Sequence, residues 1–235
     1  MQRDQIKHHL RRLSKKLSPA TIESIPGVIS GIFGEAIDDG LVRSNPANKL
    51  LKKILPPKNQ RDLKPPAPMT VTERDLMLAT AGNICSRSMR LLLMVMVYMG
   101  LRFGEALAMR ARHLDFDRML YHVVEGFKRK VFKKPKGGKS RFVDVPEFLI
   151  AELEAHIAYL KKRGLKGGKG SSVDLLFADP AEKGGPWPYS QRKVQGELKR
   201  VCKAARLETR NPHDLRHYAA YAELGIIPTL MRIYC

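Results

Sequence analysis

Between residues 18 and 40 the apolar positions are Ile22, Ile25, Ile29, Ile32, Phe33, Ala36 and Ile37. That spacing of three and four predicts a helix with one buried stripe. Ser18-Pro19 supplies its start and Gly40 its stop, while Pro26-Gly27 inside the pattern predicts a kink. Residues 1–16 are helix-prone and dense in Lys, Arg and His, and Ser44-Asn45-Pro46-Ala47 predicts another short helix. One stripe is little for an independent core, so 1–54 reads as a partial helical unit, as though an N-terminal part were absent.

Residues 55–68 carry five prolines and no apolar period, which predicts an extended linker and a domain boundary. Beyond it, Thr70 or Thr72 caps a helix through Ala81. Ser86 to Met99 is apolar almost all round and therefore predicts a buried helix. Gly100 breaks it, and 102–110 form a third. From Leu120 the period shifts towards two. Leu120 to Val124 and Arg141 to Pro146 predict two or three antiparallel strands, the only sheet, around a basic hairpin. An amphipathic helix over 147–163, a Gly/Lys-rich flexible loop over 164–172, a short apolar segment at Leu175-Leu176-Phe177 and a basic helix over 190–205 follow. The pattern predicts an α+β fold, mainly α.

Charge changes the picture. Lys and Arg total 43 against 23 acids in 235 residues, a net +20. Such an excess points to a polyanionic partner, nucleic acid ahead of an anionic membrane. The longest apolar run, Leu91 to Met99, is too short to span a bilayer, and no signal-peptide pattern opens the chain. Three cysteines, Cys85, Cys202 and Cys235, give neither a disulfide framework nor a metal spacing, which favours a reducing, cytoplasmic setting.

Candidate chemistry concentrates in three places. Asn211-Pro212-His213-Asp214-Leu215-Arg216-His217 reads as a helix start, with Asn211 as cap and Pro212 at the first position. His213 and Arg216, three apart, share a face and form a seat for a phosphate. The alternatives are a plain capped surface helix, or a metal pair of His213 and His217; for the latter no Glu lies between them and no third ligand is near. Arg102 opens a helix directly after a buried one, either as a functional cation or as half of an Arg102–Glu105 surface pair. Between Lys128 and Arg141 stand eight basic residues and no acid. They form either a solvated hairpin or a cationic tip, Lys136-Gly137-Gly138-Lys139, set against a phosphate backbone. Most of the seven tyrosines read as packing residues.

Four motifs in order resemble the tyrosine recombinase (phage integrase) family: Gly100-Leu101-Arg102-Phe103-Gly104-Glu105-Ala106-Leu107, the Lys136 hairpin closing on Val143-Asp144-Val145-Pro146, His213-Asp214-Leu215-Arg216-His217, and Arg232-Ile233-Tyr234. The resemblance implies a partial helical core-binding domain at 1–54, a linker at 55–68 and a catalytic domain at 69–235, helical with a small antiparallel sheet. It implies Arg102 and Arg216 as phosphate-binding arginines, Glu105 as the supporting acid, Lys136 as general acid, His213 as proton acceptor or as hydrogen-bond donor to the phosphate, and Tyr234 as nucleophile. Lys128, Arg129, Lys130, Lys133, Lys134, Lys139, Arg141, Arg192 and Lys193 are expected to contact DNA. No metal or other cofactor is implied. The implied partners are double-stranded DNA and further copies of the chain, dimer to tetramer on DNA, with no membrane.

Only 17 residues separate Arg216 from Tyr234, and they lack the family's Gly-His helix. The expected function is therefore a site-specific recombinase or integrase whose cleavage is slow. The alternatives are a DNA-binding remnant and a type IB topoisomerase-like enzyme.

Overall fold

The helices start where a short polar side chain can accept a backbone N–H left without an intrahelical partner. Ser18 accepts from Thr21, Ser86 from Met89, Ser190 from Lys193, and Asn211 from His213 at 2.8 Å. Thr70 forms a full capping box with Glu73. The computed structural model describes residues 3–48, 50, 54, 69–135, 137–166, 174–181 and 187–223. The chain divides into two units, Met1–Pro66 and Ala67–Cys235.

In the first unit α1 (Arg3–Ser14) and α2 (Pro19–Asp38) enclose a small core. Ile6 and Leu10 of α1 meet Ala47 and Leu50, with Ile25, Ile29 and Phe33 of α2 packed alongside. α2 runs on through Pro26, whose ring is buried, and Gly40 ends it at a φ of 71°. The short helix predicted at Ser44–Ala47 is instead a turn. The Asn45 side chain accepts from the Ala47 N–H and donates to the Ser30 carbonyl and hydroxyl, so a side chain takes the role a helix would need.

The second unit is built round α4 (Arg87–Tyr98), in which every side chain from Leu91 to Val97 is buried. α3 (Val71–Ile84), α5 (Phe103–Leu107), α6 (Glu147–Lys166) and α8 (Pro212–Glu223) pack against it. α7 (Gln191–Ala204) closes on α3 and α8. α6 continues through Gly164 to Lys166, past its predicted end. α5 stops short of its predicted end. From Met109 the backbone turns to pair with another segment, with Leu176 donating to the Met109 carbonyl and Ala111 to that of Asp174.

Among the described residues five short strands form two sheets, where the sequence pattern predicts one. β1 (Leu114–Asp115), β2 (Leu120–Val123) and β5 (Arg141–Asp144) are antiparallel, with Leu120 opposite Asp144 and Val123 opposite Arg141. Between β2 and β5 the chain makes a separate hairpin, β3 (Gly126–Lys128) and β4 (Val131–Lys133). Its two-residue loop is Arg129-Lys130, both left-handed, with φ of 53° and 60°. Positive φ at both central residues is the mark of a type I′ turn, which Asn-Gly suits better than two long side chains. Phe127 and Phe132 hold the hairpin to Trp187, and Arg110 lies 4.8 Å from the Phe132 ring centroid.

Replacing Arg129-Lys130 with Asn-Gly should relieve the left-handed cost, about 1 kcal/mol for each L-residue. The midpoint of urea unfolding should rise, with an unchanged slope.

Candidate active site

The site begins with a glycine. α4 ends at Met99, and Gly100 turns the chain at a φ of 57°. A Cβ on Gly100 would lie 3.3 Å from the Ala219 Cβ, so this turn and α8 pack backbone to side chain. That close approach brings Arg102, which opens α5, beside Arg216 of α8. A second glycine fixes α5 itself. A Cβ on Gly104 would meet the Phe127 carbonyl oxygen at 2.8 Å, so the first turn of α5 lies directly on β3.

At the centre is Glu105, only 2% exposed. Its Oε2 accepts from the Arg102 backbone N–H at 2.9 Å, and its Oε1 from Arg102 Nη1 at 2.9 Å. Arg141, at the start of β5, spans the same carboxylate, with Nη1 on Oε1 at 3.0 Å and Nη2 on Oε2 at 2.6 Å. Burial alone would raise the Glu105 pKa. The hydrogen bonds from Arg141 and Arg102 outweigh it and hold the group below the usual carboxylate range. Arg102 and Glu105 are therefore not a surface pair. One member is buried and the other 43% exposed.

Arg216 is half-buried and feels this cluster directly. Burial lowers its pKa first, and the like charges of Arg102 and Arg141 lower it further, opposed by Glu105. Arginine nonetheless stays charged at any ordinary pH. Among the described residues no carboxylate pairs with Arg216 at ion-pair distance. Two guanidiniums thus hold one carboxylate and a third feels the charge of all three groups, which leaves a local surplus of two positive charges.

His213 projects, exposed, from the first turn of α8, one turn ahead of Arg216. Its ring stands edge-on to that of His217, centroids 4.4 Å apart. Among the described residues no three His, Cys, Asp or Glu side chains gather as metal ligands. Lys136 and Tyr234 lie outside the described residues. Beside Lys136, Gly137 and Gly138 are left-handed at 92° and 74°, and the Gly138 N–H donates to the Pro135 carbonyl at 2.8 Å.

Of the cations expected to contact DNA, Lys128, Arg129, Lys130, Lys133, Lys134 and Lys139 are exposed on or beside the β3–β4 hairpin, and Arg192 is exposed on α7. Two others have partners within the protein. Arg141 holds Glu105, and Lys193 Nζ donates to both oxygens of Asp179 at 2.7 and 3.0 Å.

Arg74 escaped the sequence reading. It is 5% exposed, 5.5 and 5.6 Å from the Tyr98 and Tyr218 ring centroids, and its Nη1 donates to the Tyr218 hydroxyl at 2.9 Å. It thereby ties α8 to α3. The signal was present, since Arg74 falls on the apolar stripe of Met77, Leu78 and Ala81.

Residues 69–224 match the phage integrase family. Tyrosine recombinase XerA of Thermococcus kodakarensis is 31% identical over 166 residues, 71% of this chain and 51% of that protein. The chain thus spans about half the length of this curated relative. Among solved structures, the Tn1549 transposon integrase in complex with transposon right end DNA superposes with a TM-score of 0.75 at 20% identity, covering 99% of this chain and 76% of that one. XerH site-specific recombinase bound to palindromic difH substrate, in a post-cleavage complex, gives 0.70 at 21%, covering 95% and 62%. At these identities the two structures establish the fold. No helix among the described residues is long and apolar enough to cross a membrane.

The lowered pKa of Glu105 sets a pH dependence. The unfolded chain takes up the proton first, so this contribution to stability is complete above the unfolded value of about 4.3 and fades as pH falls through the folded one. Glu105→Gln should therefore cost roughly 3 kcal/mol of unfolding free energy at pH 7. The gap to the parent should narrow as denaturant titrations move towards pH 3.

Proposed function

The chain belongs to the phage integrase family of tyrosine recombinases, and on that footing we propose that it cuts and rejoins double-stranded DNA at a specific site through a 3′-phosphotyrosyl intermediate. The observation that carries this reading is the meeting of Arg102 and Arg216, from two different helices, over a single buried carboxylate. Two guanidiniums facing one spot can neutralise the non-bridging oxygens of a pentacoordinate phosphorus, a task that otherwise falls to a metal ion.

In this mechanism the Tyr234 oxygen attacks phosphorus in line with the 5′ oxygen. The tyrosine O–P bond forms, the P–O5′ bond breaks, and the phosphodiester's energy is retained for rejoining. His213 receives the phenolic proton, and Lys136 protonates the departing 5′ oxygen. Glu105 holds Arg102. Tyr218 is a poor rival for nucleophile, because it is buried with its hydroxyl taken by Arg74. Residues 1–54 act as part of the DNA-clamping domain, 55–68 as the linker and 69–235 as the catalytic domain. The exposed lysines of the hairpin track the phosphate backbone, and further copies of the chain assemble on the DNA, in the cytoplasm.

Cleavage is tested with nicked duplexes tiled across the DNA bordering the coding gene. A covalent protein–DNA adduct from the parent, lost in Tyr234→Phe and in Arg216→Ala, is the expected result. Binding without any adduct would favour a DNA-binding remnant, and relaxation of supercoiled DNA by the isolated monomer a topoisomerase-like activity. Affinity for duplex DNA should fall on the order of 10³-fold between 50 and 200 mM salt if about six phosphates are neutralised.

Lys136→Ala should cripple adduct formation on ordinary DNA but spare it on DNA with a 5′-bridging sulfur, whose leaving group needs no proton. Equal loss on both substrates would assign the general acid elsewhere.

A further inference from the structure

Arg141 stands in the basic run that the sequence marks for DNA, yet its guanidinium fork is turned onto an acid of the protein and its side chain is 35% exposed. Both terminal nitrogens, Nη1 and Nη2, are taken by Glu105, one on each carboxylate oxygen. Its neighbours in the run, Lys128, Lys133, Lys134 and Lys139, are exposed, whereas Arg141 is half-buried. Arg102 has the complementary arrangement. It gives Glu105 one side-chain nitrogen, Nη1, and its backbone N–H, and its side chain is 43% exposed. Nε and Nη2 of Arg102 remain for another acceptor.

A buried carboxylate needs its oxygens satisfied, and a guanidinium fork is the geometry that satisfies both at once. Two forks compete for this one. If Arg141 did not span Glu105, the nearest donor able to do so would be Arg102. Turning its fork inward would remove from the solvent side the nitrogens that a phosphate requires. We propose that Arg141 is a positioning residue, which occupies Glu105 so that Arg102 is left with an open edge towards the DNA phosphate. The assignment rests on the recombinase reading of the site, and it takes Arg141 out of the set of DNA contacts.

The test uses Arg141→Ala and Arg141→Lys in the full chain, each alone and combined with Glu105→Gln. The first readout does not depend on cleavage. In crystals of the single variants without DNA, Arg102 should turn to meet both oxygens of Glu105. An Arg102 that keeps its single side-chain contact in both variants overturns the proposal. The second readout is binding to a duplex of mixed sequence. Affinity should change less than about twofold and the salt slope should not move. A slope reduced by about one in Arg141→Ala, restored in Arg141→Lys, makes Arg141 a phosphate contact and also overturns it.

The third readout is the rate of adduct formation on the duplex the parent cleaves. Arg141→Ala should lose on the order of 10²-fold, the penalty of a misplaced group at the reacting centre. Arg141→Lys should fall close to it, because an ammonium cannot span two oxygens. In the Glu105→Gln background the further loss should shrink, since no charged carboxylate remains to capture Arg102. A full, additive loss in that background would mean that Arg141 acts independently of Glu105. If the parent forms no adduct at all, the cleavage reading fails, and the Arg102 geometry with the salt slope decides the role of Arg141.

Discussion

A carboxylate that is 2% exposed and ionised is the constraint on which the second unit's arrangement depends. Stripped of water, Glu105 would cost several kcal/mol if left unpaired. Its oxygens are met from two directions, by Arg102 at the head of α5 and by Arg141 at the head of β5. The two segments lie 36 residues apart in the chain. The carboxylate therefore joins the helix after α4 to the strand after the basic hairpin, and it cannot be satisfied unless both are in place. Two glycines allow the approach. Gly104 lets α5 rest on the backbone of Phe127, and Gly100 lets α8 come within side-chain contact of the turn. A larger residue at either position would separate the guanidiniums even if every hydrogen bond within α5 survived.

The same cluster explains why α8 must be held so firmly. Arg216 sits where Arg102 and Arg141 repel it and Glu105 attracts it. A helix placed against that repulsion needs attachment elsewhere. Leu215, Tyr218 and Ala219 are buried, and Tyr218 is gripped by Arg74 through a hydrogen bond and ring contacts. Apolar burial and a second cation on the far side thus offset the cost of gathering positive charge in the site. Positive charge gathered in this way would attract an anion.

Legibility in the sequence followed the range of the interactions. The helices of the second unit were readable because caps and periodicity are local, as Thr70 with Glu73 illustrates. The Arg102–Glu105 pair was readable at three residues' spacing, and so was the placing of His213 and Arg216 one turn apart on one helix. The β3–β4 hairpin was not, because Arg129-Lys130 carries none of the residues that usually announce a two-residue turn. The turn at Asn45 was not, because its partner, Ser30, lies 15 residues away. Arg141 was assigned by the sign of its neighbours' charge. Its orientation depends on the strand alternation of β5 and on an acid far earlier in the chain, and a run of like charges contains neither.

The two kinds of cation also differ in what they meet. Among the described residues of the second unit, Arg74, Arg90, Arg102, Arg110, Arg112, Arg118, Arg141, Arg200 and Arg210 form ion pairs, and Lys193 pairs with Asp179. The exposed cations at the hairpin are mostly lysines. A planar fork can satisfy a fixed carboxylate with little further loss of freedom, whereas an ammonium on a flexible stem keeps its hydration and its mobility. The former suits joints within the fold and the latter suits contacts that form and dissolve along a phosphate backbone. The net charge of +20 therefore does not act as a single field. Part of the arginine charge is offset by the acids it binds, while the hairpin of β3 and β4 presents a cluster of exposed lysines.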